Sequence, residues 1–207
     1  MRILIACEYS GASRRAFEAL GHDVISADFE PAEDCAENHH QGDVFDLIGK
    51  LHFDLMLAHP PCTYLSVSGL HWNKRGILVD GRPRAELTEE ALAFVQRLMA
   101  ADIQRIAIEN PVSCISSRIR KPDQIIQPWQ FGDDASKATC LWLKNLPKLE
   151  PTKMVCGRDV DGKKRWANQT DSGQNKLAPS ETRWKDRSRT YPGIAAAWAA
   201  QWGGLVA

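Results

Sequence analysis

The chain has 207 residues, 43% of them hydrophobic, with six cysteines and a formal net charge of zero. That length suits one main hydrophobic core, and no apolar run approaches the roughly 18 residues that a membrane-spanning helix needs. The short run Ile3 to Cys7 is stopped by Glu8 before it could serve as a signal segment, and the cysteines form no CxxC pair, so a soluble cytoplasmic protein with reduced thiols is expected, without a zinc ribbon, a disulfide framework or a structural metal.

Short apolar runs alternate with amphipathic stretches over the first hundred residues, the pattern of a parallel sheet with crossover helices. Arg2 to Cys7 reads as a strand, Ala12 to Leu20 as a helix ended by Gly21, and His22 to Ala27 as a second strand closed by Asp28 and Pro31. A short strand or turn near Gly42 to Val44 leads into a helical turn, Phe45 to Lys50. Phe53 to Ala58 is the next strand; a loop through His59-Pro60-Pro61-Cys62 and a polar insertion, Asn73 to Arg84, follow it. Thr88 is placed as the cap of a helix reaching Ala101, with Glu89 and Glu90 in its first turn, and Arg105 to Ile108 forms a strand that delivers Glu109-Asn110-Pro111. Ile125 to Trp129 and Thr139 to Leu143 read as antiparallel strands, and Met154 to Ala167 as a hairpin turning at Asp161-Gly162. Asn168 to Arg189 is polar and basic and reads as a loop or a segment ordered by a partner, after which Pro192 opens a last helix through Trp202.

The expected fold is α/β: a Rossmann-like doubly wound, mostly parallel sheet with helices on both faces, plus a small hairpin and loop appendage near the C-terminus. Residues 1–150 would form the catalytic and cofactor unit, 151–189 a basic insertion, and 190–207 a helix packing back on the first unit. In this topology ligands gather at the carboxyl ends of the strands, where Cys7, Glu8, Asp28, Asp43, Cys62 and Glu109 all fall.

Cys62 taken alone reads as a nucleophile, a metal ligand or a packing thiol. Two prolines stiffen the chain ahead of it, and the neighbouring strand brings the Glu109 carboxyl beside it. A thiolate and a protonated carboxyl set side by side suit addition to a pyrimidine: sulfur attacks carbon 6 while the carboxyl donates to nitrogen 3, making carbon 5 nucleophilic. His39-His40 lacks a third ligand at metal-binding spacing.

Pro60-Pro61-Cys62 with Ser66 and Gly69, followed by Glu109-Asn110-Pro111, resembles the S-adenosylmethionine-dependent DNA cytosine-5 methyltransferases. The stretches EYSG at 8–11, GHDVISAD at 21–28, KATCLWLKNLP at 137–147 and RSRTYPGIAAAWAAQW at 187–202 are similar to small phage and prophage cytosine methyltransferases. The resemblance implies Cys62 as nucleophile, Glu109 as the acid on the base, and Asn110 shaping the loop. It implies a cofactor site of Cys7, Glu8, Tyr9, Ser10, Gly11, Asp28, Phe29, Asp43, Val44 and Pro60, with Asp28 on the ribose and Asp43 at the adenine amine. It assigns substrate contacts to Pro61, Thr63, Ser66, Arg165, Arg187 and Arg189. The implied cofactor is S-adenosylmethionine or a modified form of it, and the implied partner is DNA presenting a flipped cytosine or a single strand, in the cytoplasm of a bacterial or phage-infected cell.

Three departures from the family pattern stand out. ACEYSG replaces a glycine-rich turn and adds Glu8; Thr63 stands where glutamine is expected; and only about forty residues separate Leu149 from the final motif, too few for a target-recognition domain. Target recognition would then rest on residues 154–190, or on a partner or second subunit. RNA, a nucleotide, or cofactor binding without turnover are the alternatives. Charge follows the same division: residues 1–60 carry 11 acidic groups against 4 basic ones, and 151–190 carry 10 basic against 5 acidic, interleaved with Trp166 and Trp184. That pattern predicts a polyanion drawn to the C-terminal end.

Overall fold

The computed structural model describes residues 1–205, so the last two residues of the expected 190–207 unit lie outside the described residues. Chain order is β1 (Arg2–Ala6), α1 (Ala12–Glu18), β2 (Asp23–Asp28), β3 (His39–Gln41), β4 (Leu55–Ala58), α2 (His71–Lys74), β5 (Leu78–Val79), β6 (Arg82–Pro83) and α3 (Arg84–Met99). It continues with β7 (Arg105–Pro111), α4 (Ile115–Arg118), β8 (Gln124–Ile126), β9 (Thr139–Lys144), β10 (Arg158–Val160), β11 (Lys163–Arg165), α5 (Arg183–Ser188) and α6 (Pro192–Trp202).

Seven strands form one sheet in the order β3-β2-β1-β4-β7-β9-β8. The first five strands in this order are parallel to one another, and β9 runs antiparallel to both β7 and β8. The fold is thus the α/β, Rossmann-like class expected. ILIA and LMLA are apolar throughout because both faces of their strands are covered. Side chains alternate between the two faces: Leu4, Ala6, Met56, Ala58, Ile106 and Ile108 pack with Leu92, Val95 and Leu98 of α3. Ile3, Ile5, Leu55, Leu57 and Ala107 pack with Phe17 of α1 and with Ile194, Trp198 and Trp202 of α6. No helix among the described residues is long and apolar enough to cross a membrane.

Several expected boundaries move. The third strand is His39–Gln41, just before the Gly42 to Val44 stretch, and Asp43 caps a 3-10 turn, Val44–Asp46, by accepting the Phe45 amide at 3.0 Å. Helix α3 begins at Arg84, four residues ahead of the expected cap; Thr88 lies inside it, with Oγ1 3.0 Å from the Tyr64 carbonyl. The polar insertion holds a small hairpin turning at Asp80-Gly81, both in the left-handed region that a tight hairpin turn requires. Asp161-Gly162 does the same between β10 and β11, where a hairpin is expected. The strand expected over Ile125 to Trp129 is shorter, because Pro128 starts a 3-10 turn in place of a ladder donor. Residues 168–189 contain the helix α5, where the sequence predicts loop.

Candidate active site

The end of β4 and the middle of β7 position the reacting groups. His59 continues the β4 ladder, its amide donating to the Ala6 carbonyl at 2.9 Å, and Pro60-Pro61 then ends the pairing by removing two donors. Asn110 Nδ2 donates to the Pro60 carbonyl at 2.7 Å and ties the loop to β7. Antiparallel pairing with β9 carries β7 through Glu109, Asn110 and Pro111, so the carboxylate projects from a continuing strand. The far side of the loop is held by Arg84, which is buried and donates to the Thr63 carbonyl at 2.6 Å and to Asn73 Oδ1 at 2.5 Å. Thr63 and Pro61 are exposed, and Ser66 turns its hydroxyl to Ser68 Oγ at 2.9 Å.

Cys62 is half-buried, and burial, then the Glu109 charge, push its thiol above the ordinary value, while Lys137 and Arg187 pull it down. Burial also opposes ionisation of Glu109, but the hydrogen bond from His59, with the charges of Lys137 and His59, holds that carboxyl below its ordinary range. The carboxyl that the addition step needs in protonated form is thus held toward its ionised form at rest, beside a thiol held toward its neutral form. His59 Nδ1 lies 3.2 Å from Glu109 Oε2, and Nε2 lies 3.4 Å from Ser13 Oγ. Lys137, whose Nζ donates to the Arg187 carbonyl at 2.9 Å, belongs to the same group.

The first turn departs from an open ligand cradle. Glu8, 4% exposed, accepts the Ser13 amide at 2.6 Å and the Arg14 amide at 3.1 Å, while Ser10 Oγ accepts the Ala12 amide at 3.4 Å. The first amides of α1 are thus satisfied by the chain itself, which makes Glu8 and Ser10 helix caps. Gly11 holds φ 69°, and a Cβ there would collide with the Arg14 and Arg15 guanidinium groups and Asp34. Glu8→Ala is expected to cost about 1–2 kcal/mol of stability, read by urea unfolding; an unchanged midpoint would show that the carboxylate caps nothing.

Asp28, Cys7 and Asp43 meet beside this turn. Burial, then the carboxylates of Asp28 and Asp43, push the Cys7 thiol far up, and burial raises Asp28 despite the amides it accepts from Glu30 and Phe29. Phe29 is 73% exposed next to Asp28, whereas Val44 is buried in the core. Tyr9 is covered: its hydroxyl lies 3.1 Å from Ser188 Oγ, and its ring sits 6.2 Å from that of Trp184. Lys185 pairs with Glu30 at 2.8 Å and Arg189 with Glu33 at 2.7 Å, so α5 lies against the acidic end of the chain. The two charged ends expected to treat a polyanion oppositely are thus in contact with each other.

Arg165 does not reach this group: its Nε donates to the Asp171 carbonyl at 2.9 Å and Nη1 to the Lys164 carbonyl at 3.0 Å, within its own loop. Trp166 stacks on Trp129, with centroids 5.5 Å apart. The signals for His59, Lys137 and Arg84 in sequence were weak, since each depends on a partner 21 or more residues away.

No family model matches the chain, and no curated protein matches it. Among solved structures, it is similar to a prophage-encoded protein of Escherichia coli described as a DNA modification methyltransferase, with 14% identity and a TM-score of 0.43, covering 69% of this chain and 46% of that one. A second is a mutant DNMT2 of Spodoptera frugiperda, with 16% identity and a TM-score of 0.46 over 79% of this chain and 56% of that one. A third is an rRNA methylase of Escherichia coli, with 14% identity and a TM-score of 0.36 over 69% of this chain and 56% of that one. The chain spans about half the length of these structures.

Proposed function

We propose that the chain is an S-adenosylmethionine-dependent methyltransferase that acts on carbon 5 of cytosine in DNA through a covalent Cys62 adduct. The observation that carries this reading is the resting pair: Cys62 follows the end of β4 and Glu109 projects from the paired strand β7, the Glu109 charge reaches the Cys62 thiol, and Lys137 acts on both. That inventory already holds the proton that the reaction must move. Glu109 takes the Cys62 proton as the thiolate forms and passes it to nitrogen 3 as the sulfur–carbon 6 bond is made. The carbon 5–carbon 6 π pair moves toward carbon 4, and carbon 5 becomes the nucleophile. After transfer, solvent water takes the carbon 5 proton as the sulfur–carbon 6 bond breaks, nitrogen 3 returns its proton to Glu109, and Glu109 returns it to the Cys62 thiolate.

When bound, S-adenosylmethionine supplies the electrophilic methyl group. Asp28, which accepts the Glu30 amide on Oδ1, would offer its remaining acceptor capacity to ribose hydroxyls, and exposed Phe29 offers an apolar face to the adenine. Asp43 would serve the adenine amine with the oxygen not engaged by Phe45. The methionine carboxylate fits less well, because Glu8 already occupies the α1 amides. That occupancy favours one second reading: a cofactor altered at its amino-acid end or at sulfur. Reaching carbon 6 requires the base to leave its stack, and the cations Lys137 and Arg187 are the groups on hand for phosphate, with Arg189 joining them on exchange of its Glu33 partner.

The test supplies S-adenosylmethionine labelled in its methyl carbon with duplex DNA, single-stranded DNA or RNA, then analyses digested nucleosides by mass spectrometry. Label in 5-methyldeoxycytidine supports the reading. Label only in RNA overturns the DNA target, and no label in any nucleoside overturns methyl transfer.

A further inference from the structure

We propose that His59 is the positioning residue of this site, seated between Ser13 and Glu109 so that one oxygen of Glu109 is fixed and the other is left for the base. The inference rests on the proposed reading for its meaning in turnover, but on geometry for its substance. His59 and Glu109 are enclosed, with side-chain exposures of 9% and 13%, so little water competes for their contact. An ionised carboxylate only accepts hydrogen bonds, so the proton between Nδ1 and Oε2, 3.2 Å apart, belongs to Nδ1. When the ring is neutral, Nε2 accepts from the Ser13 hydroxyl at 3.4 Å; when it is protonated, Nε2 donates to that hydroxyl and Nδ1 still donates to Glu109. Trp198 closes the remaining side, its ring centroid 5.5 Å from that of His59.

Ser13 is itself fixed, because its amide is the one held at 2.6 Å by Glu8. A continuous series of contacts therefore runs from the first turn to the carboxylate: Glu8, Ser13, His59, Glu109. The glutamate's aim becomes a function of how the first turn is seated, which connects the cofactor side of the sheet to the base side. The other charged or titratable groups around the pair are Lys137 and Cys140 beside Glu109, Cys62 with Arg187 across the loop, and Arg189 and Tyr191 in the adjoining cleft.

Two substitutions separate this role from mere packing. An asparagine amide nitrogen occupies the place of Nδ1, whereas a glutamine amide occupies that of Nε2. His59→Asn is expected to keep the donor to Glu109 and His59→Gln to lose it. With a 5-fluorodeoxycytidine oligonucleotide and S-adenosylmethionine, His59→Gln should form the Cys62 adduct about 10²-fold more slowly than wild type, and His59→Asn should recover most of that loss. Equal rates for the two variants would overturn the proposal. An independent readout needs no turnover: ¹⁵N-histidine NMR of the whole protein should show the Nδ1–H tautomer, with its signal displaced by Glu109→Gln. A His59 signal indifferent to that substitution overturns the positioning role, while a coupled signal in a wild-type protein that forms no adduct overturns only the methyltransferase reading.

Discussion

Cys62→Ala is expected to remove methyl transfer by at least about 10³-fold and to abolish the adduct with 5-fluorodeoxycytidine DNA. Fluorine at carbon 5 cannot leave as a proton does, so the sulfur–carbon 6 bond persists after transfer and the complex survives denaturing electrophoresis. The substitution removes one half-buried sulfur, and thermal stability should change by no more than about 1 kcal/mol. Cys140→Ala is the matched control, since that thiol is 1% exposed inside β9 and its loss should act on stability. An adduct of equal yield in Cys62→Ala would end the covalent mechanism. A second readout follows the thiol alone. Because burial and Glu109 raise the Cys62 thiol, its thiolate fraction at neutral pH is small and grows as pH rises past the ordinary cysteine value. Alkylation of Cys62 by iodoacetamide should be slow at pH 7 and accelerate toward alkaline pH, and rapid labelling at pH 7 would refute the resting thiol.

The resting charges also set a sign for stability. Glu109 is held below its ordinary range, so its contribution is present above the unfolded value and is lost as pH falls through the folded one. Protonating Oε1 weakens the contact that His59 makes with Oε2 and leaves a neutral carboxyl, which is the form that donates to nitrogen 3. The same contact that steadies the fold therefore opposes the catalytic form, and the reaction must move a proton from Cys62 rather than draw one from a standing acid. A raised thiol and a depressed carboxyl make that transfer uphill in the resting site, so the proton moves only in concert with formation of the sulfur–carbon 6 bond.

The strands that carry the site were legible because ILIA, LMLA and IAI are uninterrupted apolar runs, as a sheet covered on both faces calls for. Cys62 and Glu109 followed, as polar groups at the points where such runs give way. Asp80-Gly81 and Asp161-Gly162 show where reading fell short: the same dipeptide makes the same turn twice, and only the second was read as a hairpin, because the first is flanked by strands of two residues. Thr88 looked like a helix cap, yet the helix begins a further turn earlier at Arg84, whose guanidinium donates to the Thr63 carbonyl. Glu8 was read as a ligand-side group and is a cap, a distinction that depends on backbone direction at Ser13 and Arg14. Nothing in the local pattern of His59 reveals that Ser13 and Glu109, 46 and 50 residues away, converge on its two nitrogens.

Trp198→Ala is expected to be the most damaging single core substitution near the site, costing about 3–5 kcal/mol of a stability that for domains of this kind is about 5–15 kcal/mol. The indole is 1% exposed on α6, stacked on Trp202 at 6.3 Å, and packed with Phe17 and with Ile3, Ile5, Leu55 and Leu57 on the inner face of the sheet. Truncation would leave a void at the place where α6 covers β1 and β4. It would also remove the wall behind His59, so activity measured well below the unfolding temperature should fall more than the folded fraction does. Trp198→Phe separates the two contributions. Nε1 is buried with no hydrogen-bond partner among the described residues, and leaving such a donor unsatisfied costs about 1–3 kcal/mol. Phenylalanine removes that unmet donor while keeping most of the apolar contact, so its net effect on stability should lie within about 1 kcal/mol of wild type, with the His59 wall retained. Urea unfolding of both variants decides the matter: an alanine variant within about 1 kcal/mol of wild type would mean that α6 is not anchored through this side chain, because a filled indole site cannot be emptied at so small a cost.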